Sequence, residues 1–149
     1  MLNDQPLDSI LSHVLPLIIS VCALACVSAT MTPNSHQGAV VYFGDGGGFT
    51  GAVQEFALLD NGIIFEKGPS DTSFVQLGSV DKKIAQQMIK NYHFQQIDQI
   101  KLNKPGNRYY FLKHKDHTIV YDPYSKTIPS ALEQYIHTLN GLVRKIKAT

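Results

Sequence analysis

The sequence predicts an α+β domain: an antiparallel sheet of four to five strands with two helices packed on one face. Three observations lead there. Short β-prone runs are separated by Gly, Asn and Asp reversals, and two later stretches repeat apolar residues every three or four positions. Their order is strand-strand-strand-helix-strand-strand-helix, which favours hairpins over parallel crossovers.

The first element in the chain lies outside that domain. Val14 to Cys26 is an apolar run of about a dozen residues with a small residue, Ala25, directly before a cysteine, the arrangement a lipoprotein signal requires. We therefore expect residues 1–25 as a signal peptide, a lipid on Cys26, and residues 26–38 as a flexible tether rich in Ser, Thr, Pro and Asn. Two features depart from the usual pattern. No Lys or Arg precedes the run, and Ala23 stands where Leu is more common. Ordinary secretory cleavage near Ala25 or Ala29, or an uncleaved anchor, are the alternatives. The run is short for a membrane span, which needs about 18 or more apolar residues. Both cysteines, Cys22 and Cys26, fall in this region, so cleavage before Cys26 leaves no pair for a disulfide.

The domain is expected over residues 39–149. Ala39 to Phe43 reads as the first strand, Gly44 to Gly48 as a turn, and Ala52 to Leu59 as the second strand. Asp60-Asn61-Gly62 supplies a reversal, Ile63 to Phe65 returns, and Ser73 to Leu77 is a further short strand. Val80, Ile84, Met88, Ile89 and Tyr92 share one face of the first helix. Arg108–Leu112 and Thr118–Tyr121 form a second hairpin turning at Lys115-Asp116-His117. After Pro129, Leu132, Tyr135, Ile136, Leu139, Leu142, Val143 and Ile146 make a broad apolar stripe on the last helix.

Gly44-Asp-Gly-Gly-Gly-Phe-Thr-Gly51 is the most unusual local sequence. Gly46, Gly48 and Gly51 satisfy Gly-x-Gly-x-x-Gly, but a strand follows where a nucleotide site needs a helix N-terminus. The lysine, His-Arg-Asp and Asp-Phe-Gly parts of a kinase are missing from the chain after Cys26. Two readings are left. The glycines build a wide hairpin with Phe49 tucked onto the core, or Gly46, Gly47, Gly48, Phe49, Thr50 and Gly51 are a backbone-rich loop presented to a partner.

Gly46 to Gly51, the Leu58-Leu59-Asp60-Asn61-Gly62 reversal, an amphipathic helix, Pro105-Gly-Asn-Arg-Tyr-Tyr110 and a terminal helix together resemble small uncharacterised lipoproteins of Gram-negative envelopes. The resemblance spans roughly residues 39–146. More distantly, the Gly-Gly-Phe-small-Gly hairpin and the Pro-rich approach to the last helix resemble emfourin-type inhibitors of thermolysin-like metalloproteases. That resemblance implies a compact inhibitor-like α+β domain, with Gly47, Gly48, Phe49 and Gly51 as the matching positions.

No catalytic set emerges. Ser70, Ser73, Ser79, Ser125 and Ser130 lie in no nucleophile motif, and the carboxylates are too scattered to pair by spacing. His114 and His117 flank Asp116, a pattern best read as a solvated turn, since residues three apart on one strand face opposite sides. Alternation places Tyr109 and Phe111 on one face and Tyr110 on the other. With Arg108, outward tyrosines would form a contact surface for a protein or glycan.

All 13 Lys and Arg lie at or after Lys67, and losing Asp4 and Asp8 with the signal moves the net charge from +1 to +3. The cations are interleaved with acids, so no phosphate-neutralising patch forms and nucleic acid is not an expected partner. The expectation is a lipid-anchored envelope protein that binds a protein, a protease or an envelope component, with no cofactor, metal or catalysis. The alternatives are a small-ligand-binding or hydrolytic protein, which needs a concave pocket with convergent polar groups, and a structural envelope lipoprotein without a site.

Overall fold

A computed structural model describes residues 31–149. The signal run and Cys26 lie outside the described residues. Among the described residues the fold has seven strands, two α-helices and one 3-10 turn. They are β1 (Val40–Gly47), β2 (Ala52–Leu59), β3 (Ile63–Lys67), β4 (Val75–Ser79), α1 (Lys82–Phe94), the 3-10 turn Ile97–Gln99, β5 (Asn103–Lys104), β6 (Arg108–His114), β7 (His117–Tyr121) and α2 (Ser130–Lys147).

The α+β class and the helix count agree with the sequence expectation, and the sheet is larger than expected. Its order is β4-β3-β2-β1-β6-β7-β5, antiparallel throughout except for the β5–β7 pair. β5 escapes sequence reading because it is two polar residues, Asn103 and Lys104, paired with Val120 and Tyr121.

Strand alternation sorts the side chains onto two faces. Val41, Phe43, Phe56, Leu58, Ile64, Leu112, Ile119 and Tyr121 point to one side. They are buried there with Ala85, Met88 and Tyr92 of α1 and Leu132, Tyr135, Ile136, Leu139 and Val143 of α2. Both helices therefore cover the same face. The first helix is rotated slightly from the sequence reading: Ala85 is fully buried and Ile84 is 45% exposed. Asp81 caps it, its carboxylate accepting from the Lys83 amide at 2.7 Å. Arg144, Lys145 and Lys147 occupy the last turn of α2, where cations complement the helix dipole.

The helix-free face carries a second cluster of Ala57, Leu59 and Phe65, flanked by Val40, Tyr42, Ile63 and Phe74. Residues 31–38, expected as flexible tether, pack beside this face. Pro33 is fully buried, and Asn34 accepts the Tyr42 hydroxyl at 3.2 Å. His36 Nε2 meets Asp60 Oδ1 at 2.7 Å, while Asp60 Oδ2 accepts the Ala39 amide at 3.2 Å. The folded unit thus includes Met31 to Gly38 as well as the expected residues 39–149.

Candidate functional site

β1 does not stop at Phe43. It continues through Gly44-Asp-Gly-Gly47, paired on both sides with β2 and β6, so half of the glycine run is strand. Gly44 and Gly46 face the helix-free side, where the rings of Phe111 and Tyr109 lie over them; a Cβ on Gly46 would come within 2.7 Å of the Tyr109 hydroxyl oxygen. Aromatic side chains here occupy the space that a Cβ would take on the neighbouring strand. Tyr109 and Phe111 therefore share a face, and Tyr110 lies on the helix side beside Tyr121, with ring centroids 5.8 Å apart.

The reversal itself is Gly48-Phe49-Thr50-Gly51, closed by the Gly51 amide donating to the Gly48 carbonyl at 3.2 Å. A second bond fixes the base of the loop: the Gly48 amide donates to the Asn107 carbonyl at 2.6 Å. This contact joins residues far apart in the chain, and no local sequence signal marks it. The two central positions of the turn go to Phe49 and Thr50. Phe49 is fully exposed, at 108% relative accessibility, which corrects the expectation that a structural hairpin would tuck it onto the core.

Two depressions flank the hairpin. One, of about 310 Å³, runs along Asp45, Gly46, Gly47 and Gly48 to Arg108. The other, of about 480 Å³, lies against Thr50, Gly51, Val53 and Glu55. Pro69 of the β3–β4 connection borders both. That connection is held by the Gly68 amide donating to Asp71 Oδ2 at 2.8 Å, and by Gln54 Nε2 donating to the Lys67 carbonyl at 3.2 Å. The hairpin tip thus sits on a braced sheet end, opposite the Asp60–Gly62 reversal by the length of β2, about 26 Å.

The histidine pair differs from its sequence reading. β6 and β7 are joined by a two-residue turn, Lys115-Asp116, so His114 and His117 pair directly across the hairpin and share the helix face. His114 is 3% exposed, not solvated. Its Nδ1–H donates to the Val40 carbonyl at 2.7 Å. His117 donates from Nε2 to the Ile100 carbonyl at 3.0 Å and accepts the Tyr92 hydroxyl at Nδ1. Beside them, His93 Nδ1 bonds Asp98 Oδ2 at 2.9 Å, and the Tyr92 ring stands 5.0 Å from that of His114. Burial, followed by the nearby Asp98 carboxylate, pushes the Tyr92 phenol up to about 12. These contacts tie α1 to the β6–β7 hairpin and spend both nitrogens of His117 on protein partners. Among the described residues no group of three or more His, Cys, Asp or Glu is placed to hold a metal ion.

His114 makes the fold pH-sensitive in a definite direction. Burial holds its imidazole below the usual histidine range, outweighing the opposing hydrogen bond to Val40. The unfolded chain then takes up a proton near pH 6.5 that the folded chain refuses, so stability falls as pH drops below about 6.5. Asp60 and Asp98 act in a lower window. Burial raises the Asp60 carboxyl, but bonds from His36 and the Ala39 amide hold it below 3.8; for Asp98 the His93 bond does so, against burial. Their stabilisation is present above the usual carboxylate range and lost beneath it. Urea midpoints are expected to drop between about pH 7.5 and 5.5, and His114→Asn, which keeps a donor for Val40 without titrating, is expected to flatten that drop. An unchanged slope in the variant would assign the effect elsewhere.

Neither a family model nor a curated protein matches the chain. No helix among the described residues is long and apolar enough to cross a membrane.

Proposed function

We propose that this chain is a lipid-anchored envelope protein whose domain binds a protein partner without catalysis, using the hairpin Gly46–Gly51 as its contact and Phe49 as its anchor. The observation that carries the reading is Phe49 itself: a large apolar side chain wholly in solvent at the tip of a turn that is fixed at its base. A single exposed hydrophobe is ordinary, but a preorganised aromatic at a loop apex loses little entropy on docking and is suited to fill a pocket. Resemblance to emfourin-type inhibitors names a metalloprotease as one partner class, and the run Val14 to Cys26 supports the lipid anchor.

Burying a phenylalanine side chain is worth roughly 1.5–3 kcal/mol. Phe49→Ala is therefore expected to weaken partner capture about ten- to a hundredfold, with folding unchanged. The measurement is photocrosslinking in cells of the intact chain carrying a photoreactive phenylalanine at position 49, against the same group at exposed Thr138 on α2. A discrete adduct from position 49, reduced by competition with unmodified chain and not with the Phe49→Ala chain, is expected. No adduct, or the same adduct from both positions, counts against the hairpin. Intact mass of the purified chain tests the anchor separately: a diacylglyceryl mass on Cys26 is expected.

A further inference from the structure

Among the described residues the three most exposed large hydrophobic side chains are all aromatic: Phe49 at 108%, Phe94 at 85% and Tyr124 at 77%. Phe94 ends α1, where Tyr92 two residues earlier bonds His117 beside the β6–β7 turn, so it belongs to the end of the sheet opposite the hairpin tip. The other two share one end. Arg108, the first residue of β6, pairs with Gly47 at the base of the loop. Tyr110 pairs with Asp45 on one side and with Tyr121, the last residue of β7, on the other. The chain leaves β7 at that level and turns at once through Asp122-Pro-Tyr-Ser125. Only β6 separates β1 from β7, so the strands that carry the two turns lie about 10 Å apart across the sheet.

Tyr124 is held in the same way as Phe49. The Ser125 amide donates to the Asp122 carbonyl at 3.0 Å and closes its turn, as the Gly51–Gly48 bond closes the hairpin. Pro123 sets the backbone at the first central position, and the Tyr124 amide donates to Asp122 Oδ1 at 2.8 Å. Asp122 is itself tied down, its amide donating to the Lys104 carbonyl at 3.1 Å. Between the two turns Arg108 Nη2 stands 3.8 Å from Asp45 Oδ2, both side chains partly in solvent. This pair borders the depression beside the hairpin and also a smaller one, of about 130 Å³, against Pro123 and Tyr124.

We propose that the contact surface is two-pronged: Phe49 and Tyr124 are paired anchors astride the Asp45–Arg108 pair, for a folded protein that presents two apolar pockets with polar groups between them. The inference rests on the hairpin reading and adds to it a second anchor and the shape of the partner. Binding energy at protein interfaces concentrates on aromatic and arginine side chains, and rings carried on braced turns lose little entropy when they dock. Any apolar groove accepts Phe49 alone. Two anchors at fixed separation require pockets fixed to match, which a folded surface supplies and an extended peptide does not. A bilayer fits less well, because seating both rings in it carries Asp45 and Arg108 out of water with only a long contact between them.

The test extends the photocrosslinking of the intact chain in cells to positions 124 and 94. The photoreactive phenylalanine at position 124 is expected to give the same protein adduct as at position 49, and position 94 is expected not to give it. Co-expressed chain carrying Tyr124→Ala is expected to compete for the position-49 adduct about tenfold less effectively than unmodified chain. Tyr124→Phe, which keeps the ring, is expected to compete nearly as well as the parent, and an unchanged melting curve of both variants verifies the fold. A position-49 adduct that position 124 does not share, or that the Tyr124→Ala chain competes for as well as the parent, overturns the second anchor and leaves the hairpin reading standing. The shared adduct appearing at position 94 as well, or lipid adducts in place of protein at 49 and 124, also overturns it. Silence at both positions removes the two readings together.

Discussion

Replacing Phe43 by alanine is expected to destabilise the domain by about 3–5 kcal/mol, whereas the same change six residues later, at Phe49, is expected to fall within about 0.5 kcal/mol of the parent. One ring sits mid-strand on β1 and the other at the tip of the same hairpin. Phe43 is 1% exposed on β1, the strand between β2 and β6, and its register neighbours are Phe56 and Leu112. Its ring stacks on Phe56 with centroids 5.5 Å apart. Truncation there removes buried apolar surface and leaves a cavity walled by paired strands and helices, which relax only partly. Phe49 touches solvent on every side, so its truncation removes nothing that folding uses. Urea denaturation of the two variants beside the parent checks the contrast. A loss above about 2 kcal/mol for Phe49→Ala would make it a folding residue and remove the support it lends to the binding reading.

That contrast also marks what was legible in the sequence. Both helices and the apolar stripe on α2 follow from period alone, because each helix buries one face and solvates the other, whereas the β2 limits follow from a β-prone run bounded by turn residues, its second half being buried on both faces. Gly44 to Gly47 reads as turn since glycine is the usual turn residue. Its strand character depends on Tyr109 and Phe111 lying over the bare backbone, and those rings arrive from β6, more than sixty positions on. Residues 31–38 have no hydrophobic period, and they are held by Asp60 and Tyr42 rather than by their own pattern. His114 and His117 look opposed if one strand is assumed. A two-residue turn between them places both on one face.

Gly47→Ala, at the base of the loop, is expected to cost about 2–4 kcal/mol. Two penalties meet at this residue. Its φ is +96°, where L side chains are strained, and a Cβ built there would stand 2.2 Å from the Asn107 carbonyl oxygen. Relief requires moving Asn107, which is the acceptor for the Gly48 amide at 2.6 Å, or opening the Gly47–Arg108 register pair. Either movement releases the base of the turn. Gly48 isolates the first penalty from the second: its φ is +75°, but nothing lies within 4 Å of a Cβ there, so Gly48→Ala is expected to cost only about 1–2 kcal/mol. Thermal or urea melts of both variants separate strain from collision, and equal losses would refute the collision. Because Phe49 is held in place through this same base, Gly47→Ala is also expected to weaken the position-49 crosslink although Phe49 remains in the chain. The loop's preorganisation thus draws on the Gly48–Asn107 contact at its base together with the Gly51–Gly48 bond that closes the turn.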